Sequence, residues 1–105
     1  MSISTHVLDA VAGRPAAGIA VRLFLGEALL AEGVTDLDGR CRLTEDATGV
    51  GSHLLVFATG QWFAEQNREA FYPEVVLTFT VAEPAEHHHV PLLLSPFAYS
   101  TYRGS

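Results

Sequence analysis

The chain has 105 residues, 49% of them hydrophobic, with 12 acidic and 6 basic side chains and a formal net charge of -6 at pH 7. That is one domain's worth of chain, and its acidic balance excludes nucleic acid and anionic membrane surfaces as expected partners. All the basic residues are arginines, so Schiff-base chemistry through a lysine amine is excluded as well. No run approaches the ~20 apolar residues of a membrane span, and the N-terminus lacks the basic flank and apolar run of a signal peptide. A cytoplasmic protein is the expectation. The lone cysteine, Cys41, fits a reducing compartment and reads as a small buried apolar residue rather than a nucleophile.

Period-2 alternation with turn signals at short intervals predicts an all-β two-sheet sandwich, with residues 1–105 forming a single domain. The first strand runs from Ile3 to Ala10 and ends at Gly13-Arg14-Pro15. Ile19 to Leu25 follows, with Ile19, Val21, Leu23 and Leu25 on one face, and Gly26-Glu27 turns it into Ala28 to Val34. Asp38-Gly39 signals a tight turn into a short strand from Arg40 to Leu43. Glu45 to Gly51 reads as a loop and Ser52 to Ala58 as a strand. One short helix interrupts the pattern, with Thr59 as its expected cap and Trp62, Phe63 and Gln66 at helical spacing through about Arg68. Pro73 opens the expected longest strand, in which Val75, Leu77, Phe79 and Val81 alternate with polar and smaller residues. Glu83 to Glu86 is a turn. His87 to Ser95 is extended, with Pro91 implying a sheet edge or a bulge. The tail has room for one final strand. Apolar residues on faces opposite the obvious core predict oligomerisation.

Five histidines in so short a chain point to proton transfer near neutral pH. If Val90, Leu92 and Leu94 face the core, His89 projects outward with His87 and Leu93. If Ile3 and Val7 face the core, Ser4 and His6 project outward too. His53, at a strand start beside a loop, reads as structural. Arg40 stands at a strand end, where its guanidinium could grip a carbonyl-rich ring or simply pair with Asp36 or Asp38. A nucleophile elbow is absent, since Gly49-Val50-Gly51-Ser52 has the wrong spacing. A three-histidine zinc site from His6, His87 and His89 is the less favoured alternative, for want of an evident acidic partner to orient the rings.

Four stretches carry a family resemblance. Ser4-Thr5-His6-Val7-Leu8-Asp9 resembles the first strand of the transthyretin-like 5-hydroxyisourate hydrolases, and Thr35-Asp36-Leu37-Asp38-Gly39-Arg40 resembles their T-D-x-D-G-R turn. Phe71-Tyr72-Pro73-Glu74-Val75 resembles the entry to their longest strand. The run from His87 to Pro96, continued by Tyr99 to Ser105, resembles their closing signature. One departure is visible: His88 stands where the family usually has an aromatic residue, most often tyrosine.

The resemblance implies a transthyretin-like fold of two four-stranded sheets and one short helix, assembled as a homotetramer, a dimer of dimers, with active sites in the channel between dimers. It implies hydrolysis of 5-hydroxyisourate to 2-oxo-4-hydroxy-4-carboxy-5-ureidoimidazoline in urate degradation, with no cofactor and no metal. By position it assigns His6, Arg40 and His89 to catalysis, with Ser105 as an orienting group through its hydroxyl or terminal carboxylate. Arg40 and the tail Tyr102, Arg103, Gly104 and Ser105 are implied to bind substrate. A transthyretin-like carrier of small ligands is the rival reading, disfavoured by the paired histidines and arginine. A secreted structural domain of the same fold would be expected to show a signal peptide and paired cysteines.

Overall fold

Alternating apolar residues build both halves of the expected sandwich. The structure is a computed structural model and describes residues 2–46 and 48–105; Met1, and Ala47 within the expected Glu45–Gly51 loop, lie outside the described residues. One sheet contains β1 (Ile3–Asp9), β2 (Arg14–Pro15), β5 (Arg40–Thr44), β8 (His88–Leu94) and β9 (Tyr99–Thr101). Its order is β2-β1-β8-β9, with β5 also on β1. The other sheet is β4-β3-β6-β7, from β3 (Ala20–Leu25), β4 (Ala28–Val34), β6 (Gly51–Phe57) and β7 (Val75–Val81). The two-residue β2 thus makes a fifth strand where two four-stranded sheets were expected.

The core lies between the sheets. Ile3, Val7, Leu92 and Leu94 from the first sheet meet Val21, Leu23, Leu55, Phe57 and Val75 from the second. Each such side chain contributes about 1.5–3 kcal/mol when fully buried. Cys41 is buried among them as expected, with burial first and Asp36 second pushing its thiol pKa up, which suits packing rather than nucleophilic attack. Gly26, with φ 59, makes the two-residue β3–β4 hairpin, since the first position of this turn demands a positive φ.

The passage from β4 to β5 crosses between sheets and sets where Arg40 stands. Asp36 accepts the Asp38 and Arg40 backbone N–H groups at 2.9 Å each, and Gly39 N–H donates to the Asp36 carbonyl at 2.8 Å. The Val7 N–H then donates to the Gly39 carbonyl at 2.8 Å, docking the turn on β1. Gly39 has φ 77, and a Cβ there would stand 2.4 Å from the Val7 carbonyl oxygen. Only glycine fits.

Four expectations need correction. Thr59 does not cap the helix α1 (Thr59–Ala64); Ala58 takes that place without a side-chain bond, and the buried Thr59 hydroxyl has no partner. The helix stops at Ala64 rather than near Arg68 because Asn67 adopts φ 57, and the Asn67 and Arg68 N–H groups close back on Ala64 and Phe63. The strand after Pro73 begins at Val75 and has 7 residues, no more than β1, β4, β6 or β8. Pro91 lies in an interior strand without a bulge: the ladder to the tail holds at Leu92↔Thr101, skips Pro91, and resumes in the same register at His89↔Gly104. Thr101 Oγ1 donates to the Pro91 carbonyl at 2.7 Å across that gap.

His53 is structural, as expected, but it is not peripheral. It is 0% exposed, donates through Nδ1 to the Gly51 carbonyl at 3.0 Å and meets the Thr48 hydroxyl at Nε2 at 2.8 Å. His53→Ala is therefore expected to cost about 2–4 kcal/mol through a cavity and orphaned polar partners. Urea unfolding checks this; an unchanged midpoint would contradict the packing role.

Candidate active site

Strand pairing alone brings the outward residues of β1, β5 and β8 together. In the parallel β1–β8 ladder Ser4 stands opposite His89 and His6 opposite Pro91. In the antiparallel β1–β5 ladder His6 stands opposite Arg40 and Ser4 opposite Arg42. Residues two apart share a face, so Ser4, His6, Arg40, Arg42 and His89 all look away from the core. The tail closes a further side: the Gly104 N–H donates to the His89 carbonyl at 2.8 Å. A Cβ on Gly104 would fall 2.6 Å from Cδ2 of His89, so the tail approaches only because this residue is glycine.

These elements enclose a cleft of about 190 Å³ whose walls include Ser4, Arg40, Arg42, His87, His89 and Ser105. His6 stands beside it, next to Arg40. Tyr102 and Arg103 do not wall this cleft. They line a larger groove of about 410 Å³ against Val76, Thr78 and Thr80 of β7, and Arg103 reaches Glu86 at 3.6 Å. The larger space is walled mainly by aliphatic, aromatic and hydroxyl groups but also takes in His88, His89 and Arg103, so His89 is shared by both; the smaller adds His87, Arg40 and Arg42.

His89 is half-buried, and its Nδ1 lies 2.9 Å from the Ser4 hydroxyl. Burial, then the neighbouring His87, His6 and Arg40 charges, hold its imidazole below the ordinary value of 6.5. A neutral ring at neutral pH is what a base requires. Arg40 is exposed, and it makes no ion pair among the described residues; Asp36 beside it accepts two backbone N–H groups on Oδ1. The expected alternative pairing with Asp36 or Asp38 does not form. Its guanidinium is thus open to an oxyanion or a polar ring. Among the described residues no three His, Cys, Asp or Glu side chains are grouped so as to hold a metal ion.

His88 faces the core side and is 5% exposed, with Nδ1 donating to the Glu86 carbonyl at 3.1 Å. Alternation placed Ser4 and His87 on the correct face, Ser4 without a role and His87 only in the less favoured zinc site, and Arg42, two residues from Arg40, was passed over. Period-2 spacing was the available signal for all three.

The sequence profile described as HIUase/Transthyretin family matches residues 3–104. The chain belongs to that family. A 5-hydroxyisourate hydrolase of Mus musculus is 43% identical, over 98% of this chain and 94% of the relative. The structure of Klebsiella pneumoniae 5-hydroxyisourate hydrolase matches with TM-score 0.92 and 36% identity over 100% of both chains. A sea bream transthyretin in complex with thyroxine matches with TM-score 0.86 and 30% identity, over 97% of this chain and 93% of its own. The HIUase/Transthyretin family thus includes both an enzyme and a thyroxine-binding protein on this fold.

The depressed His88 and His89 values have a consequence for stability. Below 6.5 the unfolded rings take up protons before the folded ones do, so stability falls as pH drops from 6.5 toward the folded-state values. The urea midpoint is expected to be lower at pH 5.5 than at pH 7.5, and His88→Phe should reduce the difference. An equal midpoint at both pH values would contradict the shifts.

Proposed function

We propose that the chain hydrolyses 5-hydroxyisourate to 2-oxo-4-hydroxy-4-carboxy-5-ureidoimidazoline, a step of urate degradation. The observation that carries this reading is a neutral-leaning His89 and an unpaired Arg40 sharing one cleft in a chain of the HIUase/Transthyretin family. A water in the cleft gives its proton to His89 as its oxygen attacks the C6 carbonyl. Arg40 stabilises the oxyanion that forms there. Collapse breaks the C6–N1 bond, and N1 takes a proton delivered through His6, which stands opposite Arg40 on β1. Ser105, on the cleft wall, orients the water or the ring. Gly104 supports substrate binding by letting the tail approach His89. Tyr102 and Arg103 share the larger groove with His89 and bind the substrate from that side. Base, acid and oxyanion partner all come from the chain, so the reading invokes no metal or organic cofactor.

The assembly belongs to the same reading: a homotetramer, a dimer of dimers, working in the cytoplasm. Pro91 and Leu93, on the His89 face of β8, are buried and half-buried within the single chain and leave little apolar surface there. Support comes instead from Leu37 and Phe97, 90% and 60% exposed, and from the edge strands β7 and β9, whose outer edges are open. The free Cys41 suits a reducing compartment. No helix among the described residues is long and apolar enough to cross a membrane.

The rival is a small-ligand carrier, favoured by the likeness to sea bream transthyretin with thyroxine. Turnover separates the two. With 5-hydroxyisourate generated in situ from urate, the protein is expected to accelerate the decay of its absorbance. His89→Ala, Arg40→Ala and His6→Ala should each lower kcat by about two to four orders of magnitude while circular dichroism stays native. Near-normal kcat/KM in folded His89→Ala or Arg40→Ala would remove these residues from the chemistry. Sedimentation is expected to give a tetramer, and a fully active monomer would contradict the assembly.

A further inference from the structure

His89 has more company than the reaction strictly uses. Its Nδ1 lies 2.9 Å from Ser4 Oγ, and Ser4 Oγ lies 3.5 Å from Nε2 of His87. His87 Nδ1 in turn meets the Ser2 hydroxyl. The two imidazoles stack, with centroids 6.0 Å apart and planes 13° from parallel. Ser4 is the only member touching both rings, and the parallel register opposite His89 holds it in place. From these contacts we propose that Ser4 is a positioning residue, seconded by His87, that fixes His89 in the tautomer protonated at Nδ1.

Donors and acceptors along the file allow two directions, which differ in what they leave on Nε2 of His89. A neutral imidazole has one N–H and one lone pair, and a hydroxyl has one proton and can accept others. When His89 Nδ1–H donates to Ser4, the Ser4 hydroxyl donates to His87 Nε2, and His87 Nδ1–H donates to Ser2. Each of the three bonds of the file is then made, as it also is with every donor reversed. With His89 as the donor, its lone pair is left on Nε2.

The rest of the ring's surroundings agree with that arrangement. The Cδ2 edge lies against Gly104, where a Cβ would come within 2.6 Å. With Nδ1 taken by Ser4 and Cδ2 covered by the tail, the edge left for a substrate or water is Nε2–Cε1. Reversing the file would put a proton on Nε2 and leave the ring without a lone pair there. Ser4 touches no substrate in this scheme; it acts through His89, as an oriented partner on the far nitrogen does for other catalytic histidines. The link from Ser4 to His89 is the short one, and the longer contact to His87 supplies the acceptor for the Ser4 proton.

The choice of direction rests on the hydrolase reading, since a base needs its lone pair on Nε2, whereas the tautomer itself is measured without substrate. The test uses full-length protein labelled with nitrogen-15 at histidine, treated with chelator and held at pH 8, where the neutral ring dominates. Long-range proton–nitrogen spectra distinguish the two ring nitrogens, with His89→Gln assigning the signals. The native ring is expected to show its proton on Nδ1. Ser4→Ala should move the population toward Nε2–H, Ser4→Thr should restore it, and His87→Phe, which keeps a stacked ring but no acceptor, should fall between. In parallel, Ser4→Ala should lower kcat by about tenfold or more with KM nearly unchanged, and Ser4→Thr should recover the rate. A native His89 protonated at Nε2 would overturn the proposal, as would a folded Ser4→Ala variant that keeps Nδ1–H. His87→Phe with a native population would remove His87 from the file. If the native protein failed to hydrolyse 5-hydroxyisourate, the functional reading would fall while the spectra still decided the tautomer.

Discussion

The parallel ladder between β1 and β8 is the constraint on which the rest depends. It pairs seven residues, from Ile3↔His88 to Asp9↔Leu94, across almost the whole chain. Its register does two jobs at once. On the inner face it brings Thr5 beside Val90, whose carbonyl accepts the Thr5 hydroxyl at 2.6 Å, and stacks Val7 beside Leu92. On the outer face it sets Ser4 against His89. A slip of one residue would turn every side chain of β1 to the wrong face, emptying the core and the cleft together. Packing energy therefore enforces the geometry of the site, even though no site residue contributes to the core.

The same ladder needs an anchor at its far end, and Asp9 supplies it. Burial alone would raise its pKa, but the Arg68 guanidinium at 2.8 Å and the N–H groups of Ala12 and Val11 outweigh that and hold it below 3.8. Arg68 also lies over the Phe63 ring at 4.8 Å, so a single arginine ties the helix to the end of β1. This is a charge used for architecture. Arg40 is the contrast: it makes no ion pair among the described residues, which leaves the guanidinium uncommitted at the cleft. Two arginines in one acidic chain thus have opposite roles: Arg68 is half-buried in an ion pair, and Arg40 is exposed and without one among the described residues.

Much of this was legible in the sequence because it follows from period 2. The strands, their inner faces and the outward direction of His6 and His89 all came from alternation. What failed came from contacts that alternation does not encode. Thr59 has the right chemistry for a cap, but it is the first residue inside the helix, so its hydroxyl is buried rather than turned to the free N–H groups. Pro91 forbids one ladder bond, and local rules place such a residue at an edge. The actual solution needed a threonine ten residues later. Tyr102 and Arg103 occupy the interruption of the ladder opposite Pro91 and Val90, and they line the larger groove together with His89. Residue-by-residue resemblance assigns types to positions, and only the register shows which way the tail turns them.

The missing N–H of Pro91 has one more consequence for the cleft. A residue with an N–H there could pair with the tail and make the ladder continuous from Leu94 to His89. Tyr102 would then be fixed by ordinary strand pairing. With proline in place, the tail detaches for two residues and reattaches through a single bond from Gly104 to His89. That bond fixes the backbone of the proposed base, and the absence of a side chain on Gly104 leaves room for its ring. Proline, glycine and histidine are therefore coupled within a few ångströms: the first frees the tail, the second lets it return, and the third is held by where it lands.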